Sequence, residues 1–266
     1  MNAISTSLAT LSLAACALLT CSAAMAQSVE GAWETTFSAG ADGIARESLA
    51  ERNVTQLANL GTLDPALAGS PATMTLDRLS FRDALRAGPQ FAFESGYWAS
   101  GNFEPFVRID YMQQRGKSLD IGAVASPALP TAAVIRADFD NRDTQSLALG
   151  GRYFFMTSGA LRPYMTGYVG ATHEDKLRAN LESLGIGLAS APEDLMRSAT
   201  KFDAGVEAGL SYAFSDRADF RLAAGADYLT GSRTQTNAFE RFGLGPVELG
   251  APHWSIPVSM GVSYRF

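Results

Sequence analysis

Thirteen charged side chains fall on one face of an alternating apolar/polar pattern, and they are the first residues whose types invite a chemical reading. The acids are Glu30, Glu34, Glu94, Asp110, Asp203, Glu207 and Asp227, and the bases are Arg86, Arg108, Arg152, Lys201, Arg221 and Arg265. Acids and bases nearly balance, which suits two readings: a line of charges along an ion path, or a packed ion-pair network. The second chemical candidate is His253-Trp-Ser255. In a strand, residues i and i+2 share a face, so a base and a nucleophile at that spacing can meet. No acid follows Ser255 on that segment, and both residues lie on the polar face. The other histidine, His173, is far away in sequence, and the carboxylates are scattered, so no metal-ligand set is apparent. No cofactor-binding motif occurs, and the chain reads as a non-enzyme.

The elements that position these residues follow from the period of two. In the last segment Trp254, Ile256, Val258, Met260, Val262, Tyr264 and Phe266 are large and apolar, while their neighbours are mostly small or polar. In 201–214, Phe202, Ala204, Val206, Ala208, Leu210, Tyr212 and Phe214 form the apolar face. Such alternation marks strands with one greasy face and one polar face. The criterion predicts eight strands, at 28–39, 85–98, 105–115, 144–156, 163–173, 201–214, 219–230 and 253–266. Long connections (40–84, 116–143, 174–200 and 231–252) alternate with short ones near 99–104, 157–162 and 215–218. An antiparallel up-and-down meander with all long loops at one end follows. Pro89 and Pro257 fall inside predicted strands, where each removes a ladder hydrogen bond. Bulges are expected there, or pairing that begins after Pro89.

A repeat accompanies the strands. Gly88–Phe93, Gly150–Phe155, Gly209–Phe214 and Gly261–Phe266 share Gly, any, polar, aromatic, any, Phe. Their final Phe residues are spaced by 62, 59 and 52 positions, so a hairpin-sized unit is used four times.

An eight-stranded barrel can place its apolar face inside, around a ligand, or outside, toward lipid. The polar face is too charged for an apolar cavity. Aromatics gather at strand ends on the apolar face, with Phe93, Tyr153, Phe155, Tyr212, Phe214, Tyr264 and Phe266 at one end and Phe202, Tyr228 and Trp254 at the other. That distribution matches two interfacial girdles. Strands of about 11–14 residues, tilted, suit a bilayer. The expected fold is therefore all-β, an eight-stranded antiparallel transmembrane barrel with short periplasmic turns and long extracellular loops. An eight-stranded barrel has room for little beyond its own side chains. The network Glu30, Glu34, Glu94, Arg108, Asp110, Arg152, Asp203, Glu207, Arg221, Asp227 and Arg265 is accordingly read as a salt-bridge plug of the lumen.

The ending Val262-Ser-Tyr-Arg-Phe266, the segment starts Glu104-Pro-Phe106 and Arg162-Pro-Tyr164, and the run Gly150-Gly-Arg-Tyr153 resemble bacterial outer-membrane barrels of the OmpA-type transmembrane domain and the opacity/small-porin family. The resemblance covers most of the chain after its N-terminal segment at the level of pattern. It implies recognition of the last strand by the barrel-assembly machinery, with Tyr264 and Phe266 as the recognised aromatics. Outer-membrane lipids and lipopolysaccharide are the implied surroundings. The His-x-Ser spacing at His253 also resembles that of a lipid A deacylase barrel, but lipid substrate approaches from outside, whereas both residues are read as inward. The role expected is structural or surface interaction, with weak porin activity as a variant. A small-solute diffusion channel is the alternative, and a lipid-modifying enzyme is third.

Composition agrees with these readings. The 266 residues are 47% hydrophobic and 18% charged, with 25 Gly and a net charge of -6. An acidic chain without a basic run is not a nucleic-acid binder. Beyond the N-terminus, no apolar run is long enough for a spanning helix. Residues 1–26 are uncharged and rich in Ala, Leu and Ser, and Ala24-Met-Ala26 offers the small residues a signal peptidase reads. Cleavage after Ala26 is expected, leaving 27–266 as the barrel domain. Leu13-Ala-Ala-Cys16 is a competing lipoprotein box. Both cysteines, Cys16 and Cys21, lie in that segment. The long loops total 122 residues, with 17 acids and 12 bases, and are the expected surface for an extracellular ligand. Arg46–Leu60 and Glu174–Leu184 read as short helices stopped by Gly61 and Gly185.

Overall fold

The structure is a computed structural model, and it describes residues 30–44, 48–62, 64–186, 191–231, 234–236, 247–249 and 252–266. The expected cleavage site and both cysteines lie outside the described residues. In chain order the strands are β1 (Trp33–Ile44), β2 (Ser48–Ala50), β3 (Asn53–Leu57), β4 (Ala72–Leu76), β5 (Leu79–Ser80), β6 (Leu85–Arg86), β7 (Pro89–Tyr97), β8 (Phe103–Gly116), β9 (Ser118–Ala125) and β10 (Ala133–Phe139). They continue as β11 (Arg142–Phe154), β12 (Leu161–Glu174), β13 (Leu177–Leu184), β14 (Ala191–Met196), β15 (Ala199–Ala213), β16 (Ala218–Leu229), β17 (Thr234–Thr236), β18 (Val247–Leu249) and β19 (His253–Arg265).

Eight of these close into one antiparallel barrel in the order β1-β7-β8-β11-β12-β15-β16-β19, with β19 returning to β1. Closure leaves no open edge, so every barrel strand has a partner on both sides. The first strand begins and ends about five residues later than its alternation suggests. Ser38, Gly40 and Gly43 look like turn residues, yet all three pair with β19. A Cβ on Gly40 would collide with the Val258 carbonyl, so close backbone approach explains this glycine. Pro89 opens β7, and pairing with β8 starts at Gln90. At Pro257 there is no bulge. The β16–β19 ladder skips Gly225 and Ala226 and resumes in the same register, as expected where one amide hydrogen is missing.

Outward on the barrel are Phe37, Ile109, Leu149, Met165, Val206, Leu222, Ile256 and Val262, all exposed. The short-turn end carries Trp33 against Tyr97, Tyr153 against Phe155 and Tyr264 against Phe266, with ring centroids 5.4, 5.6 and 6.1 Å apart. The long-loop end carries Tyr228 against Trp254 at 5.1 Å. Phe93 is not in the first girdle. It pairs with Phe37 and Ile109, deeper along the barrel, because the first copy of the repeat opens its strand whereas the other three close theirs.

Three of the four long connections fold together. β3–β4, β9–β10 and β13–β14 are hairpins that join into a six-stranded sheet, β14-β13-β10-β9-β4-β3. β9, β10, β13 and β14 continue β8, β11, β12 and β15 past breaks of one or two residues. Across those breaks the patterning inverts. In the barrel apolar side chains face out, while above it Met74, Ile121, Val124, Ile135, Leu177 and Leu181 face in and are almost fully buried. A sheet leaving hydrocarbon for water must bury its apolar face on itself. Among its surface pairs, the hydrogen bond from Arg178 to Asp194 holds that carboxyl below the usual range.

Both expected helices are strands. Ser48–Ala50 pairs with β5, Asn53–Leu57 pairs with β4, and Leu60–Thr62 is a 3-10 turn. Arg46 itself lies outside the described residues. Leu49, Leu57 and Leu60 share the upper core while Val54 is exposed, so the helical spacing was coincidental. In Leu177–Leu184 the buried residues Leu177, Ala179 and Leu181 recur at every second position. Pairing with β10 and β14 overrides helix propensity there. Gly185 still ends the element, at φ +111.

Ile135→Asp should unfold the upper sheet alone, since an unpaired buried carboxylate costs about 3 kcal/mol or more. Limited proteolysis of the refolded chain is expected to cut within 116–143 while the heat-modifiable mobility of the barrel persists. Loss of both together would show one cooperative unit.

Candidate functional site

Inward positions along the eight strands form layers. At the short-turn end Asp219 accepts from Arg162 at 2.7 Å and from Arg265 at 2.9 Å. Glu34 accepts from Arg221 and from the Trp98 indole, the latter at 3.1 Å. Arg162 lies over Phe154 at 5.1 Å, and Phe154 stacks on Trp98 at 4.8 Å.

One layer deeper, Arg152 bridges Glu94 at 2.5 Å and Glu104 at 2.8 Å. Arg108 then makes a two-pronged contact with Glu207 at 2.8 and 3.0 Å and reaches Glu94 at 2.7 Å. Paired hydrogen bonds of this kind match the flat fork of a guanidinium. Tyr164 and Tyr168 also point inward, beside Arg152 and Arg108. Glycines on β15 make room for them. A Cβ at Gly209 would overlap the Tyr164 ring, and one at Gly205 would overlap Tyr168.

Above Arg108 the lumen opens into a cavity of about 70 Å³. Asp42, Asp110, Asp203 and Asp227 line it. Ser146 donates to Asp110 at 3.0 Å, and the Tyr168 hydroxyl donates to Asp227. Its roof is Arg142, paired with Glu174 at 2.9 Å, and Lys201, paired with the same carboxylate at 2.5 Å. Phe81 closes the top. It starts a single helical turn, Phe81–Ala84, fixed by a reciprocal Ser80/Asp83 capping box. It is fully buried, 5.1 Å from His253 and 5.4 Å from Arg142.

Of the charged residues read from the sequence, Glu34, Glu94, Arg108, Arg152, Asp203, Glu207, Arg221, Arg265 and Lys201 are buried in the barrel, and Asp110 and Asp227 are half-buried there. Glu30 and Arg86 are not in the lumen. Glu30 is exposed in the turn before β1, which begins later than expected. Arg86 is exposed in β6, which pairs with the upper end of β8. His253 and Ser255 share the inward face, but His253 is committed to Phe81 and lies 4.0 Å from Glu174. Tyr264 and Phe266 are exposed on the outer surface at the short-turn end.

The sequence reading missed Asp42, Glu104, Arg142, Arg162, Glu174 and Asp219. Parity alone would have found Glu104 and Asp219, which share a face with Arg108 and Arg221. Arg162 and Glu174 share a face with Tyr164 and Tyr168, whose aromaticity masks it as inward. Asp42 lies beyond the expected end of the first strand, and Arg142 two residues before the expected start of its own.

A closed sheet with a continuous apolar exterior, aromatic borders and a charged interior defines a transmembrane β-barrel of eight strands. No protein-family model matches the chain, and no curated protein matches it. Solved structures with a similar fold include Neisserial surface protein A (15% identity, 89% of this chain and 100% of that one, TM-score 0.43). Others are Ail, the attachment invasion locus protein of Yersinia pestis (14%, 90% and 100%, 0.37), and the outer membrane protein OprG from Pseudomonas aeruginosa (14%, 90% and 99%, 0.40).

Arg152→Ala leaves Glu94 and Glu104 without their shared partner and should destabilise the barrel by about 3–5 kcal/mol. Replacing all three with Met, Gln and Gln should recover most of that loss. Thermal unfolding followed by circular dichroism checks both. Equal stability of Arg152→Ala and the parent chain would show that the pairs contribute nothing.

Proposed function

We propose that this chain is an integral outer-membrane protein with a structural or surface-interaction role, presented by its upper sheet, and that its lumen does not conduct. The observation that carries this reading is the contrast between the two ends. Around Arg108 the cavities shrink to about 10 and 20 Å³, each room for about one water. Three of the long connections, by contrast, are built into a sheet with its own apolar core, a support for an exposed rim. A diffusion channel needs a continuous aqueous path, and five arginines paired across the barrel stand in the way.

The same reading includes export by a signal segment cleaved after Ala26 and assembly through the last strand. Tyr264 and Phe266, outward and exposed, are available to a partner that reads the C-terminal strand. Lipids and lipopolysaccharide would contact the apolar belt and its upper girdle.

The refolded chain in planar bilayers should show no resolved single-channel steps in 1 M KCl. Exchanging 53–76 and 118–139 for short turns should leave folding intact and remove cell-surface binding or envelope phenotypes. Steady conductance that survives this exchange would favour the channel. A change in lipid A mass that depends on His253 would favour an enzyme.

A further inference from the structure

The charges in the lumen do not balance layer by layer. From the short-turn end up to Arg108, five acids (Glu34, Glu94, Glu104, Glu207 and Asp219) meet five arginines (Arg108, Arg152, Arg162, Arg221 and Arg265). At the roof, Glu174 meets Arg142 and Lys201. Between them lie Asp42, Asp110, Asp203 and Asp227, and none of these four makes an ion pair among the described residues. The basic groups on the chamber wall, Arg142 and His253, both lie against Glu174, so its four aspartates face it without a base committed to them. Asp42 and Asp203 are more than nine-tenths buried; Ser255 and the Ile256 amide donate to the Asp42 carboxyl and Thr172 to that of Asp203, yet in each the Oδ1 atom has no hydrogen-bond partner. Both residues line the 70 Å³ cavity.

Buried carboxylate oxygens facing a cavity need a donor or a counter-charge, because desolvation without either is costly. The neighbouring bases cannot supply it. Arg108 is held by Glu94 and Glu207 below, and Arg142 and Lys201 are held by Glu174 above. Serine, threonine and tyrosine side chains fill the remaining wall, with Thr144, Ser146, Thr172 and Tyr168 offering oxygens. No group of three carboxylate or histidine ligands converges closely enough among the described residues to bind a metal ion directly. An occupant would thus keep much of its own water. The volume holds a small ion with a few waters, at about 10–15 Å³ of such volume per water.

We propose that the chamber between Arg108 and Arg142 is a binding site for a hydrated monovalent cation such as Na+ or K+, held chiefly by Asp42 and Asp203. Occupancy stabilises the folded barrel, since the site exists only when β1, β8, β15 and β16 are closed around it.

The test uses the refolded full chain in detergent micelles, washed with EDTA. Melting is compared in KCl, NaCl and N-methyl-D-glucamine chloride at equal ionic strength and pH 8. A midpoint several degrees higher in KCl or NaCl is expected, because the glucamine ion is too large to enter. Asp42→Asn with Asp203→Asn should abolish that difference. Equal midpoints for the parent chain in all three salts would overturn the proposal, leaving protons or water as the occupants. Persistence of the difference in the double variant would overturn it as well. Should the double variant fail to refold, crystals of the parent chain soaked in RbCl decide. An anomalous peak in the chamber beside Asp42 and Asp203 supports the site, and its absence at saturating RbCl refutes it.

Discussion

A strand in hydrocarbon has no water to bond its amides, so each N–H and C=O must find a partner in the protein. Closing β19 onto β1 meets that requirement, and most of the molecule follows from it. Eight strands are few, so the enclosed lumen is narrow. With alternate side chains pointing into it, the interior has to be filled by those side chains and little else. Large inward groups such as Tyr164 and Tyr168 then need glycines opposite, which is why Gly205 and Gly209 stand where they do.

The same requirement ends where the bilayer ends. Beyond Gly116 and Glu174 the chain meets water on its outer side, and the favourable burial direction reverses. Ala133, Ile135, Ala137 and Phe139 turn inward while Val134, Arg136 and Asp138 lie on the outer face. The strands need not stop at this boundary. A break of one or two polar residues, such as Lys117 or Asp175-Lys176, resets which parity faces in. The upper sheet thereby inherits its direction from the barrel and its core from the hydrophobic effect. Phe81 sits where the two meet, packing below on the roof of the lumen.

Much of the barrel was legible because lipid exposure makes the period of two almost uninterrupted. β12 was harder, since Tyr164 and Tyr168 place aromatic rings on the polar face and blur the contrast. The upper sheet was not legible at all as a sheet. Its strands are short, their pairings join hairpins distant in sequence, and stretches such as Asn53–Leu57 carry leucines at helix-like intervals. What decides them is the partner strand, and single-sequence periodicity does not contain that partner. The charged lumen was read from parity. Some of its errors fall at misplaced strand ends, where Glu30 is drawn in and Asp42 left out, whereas Asp219 lies inside its expected strand on the inward parity.

The arginines do more for specificity than their net worth to stability suggests. Buried ion pairs are often no more stabilising than an apolar core of the same shape, because desolvation offsets attraction. Register is different. Shifting any barrel strand by one residue exchanges its two faces. Arg108, deeper along β8, would then point into lipid, at about 2–4 kcal/mol near the midplane, and Glu94 and Glu207 would lose it. Three of the inward arginines each reach two other strands: Arg152 on β11 joins β7 and β8, Arg108 on β8 joins β7 and β15, and Arg221 on β16 joins β1 and β8. A slipped or misordered sheet would break several of these contacts together, so the network penalises wrong closures far more than it stabilises the right one.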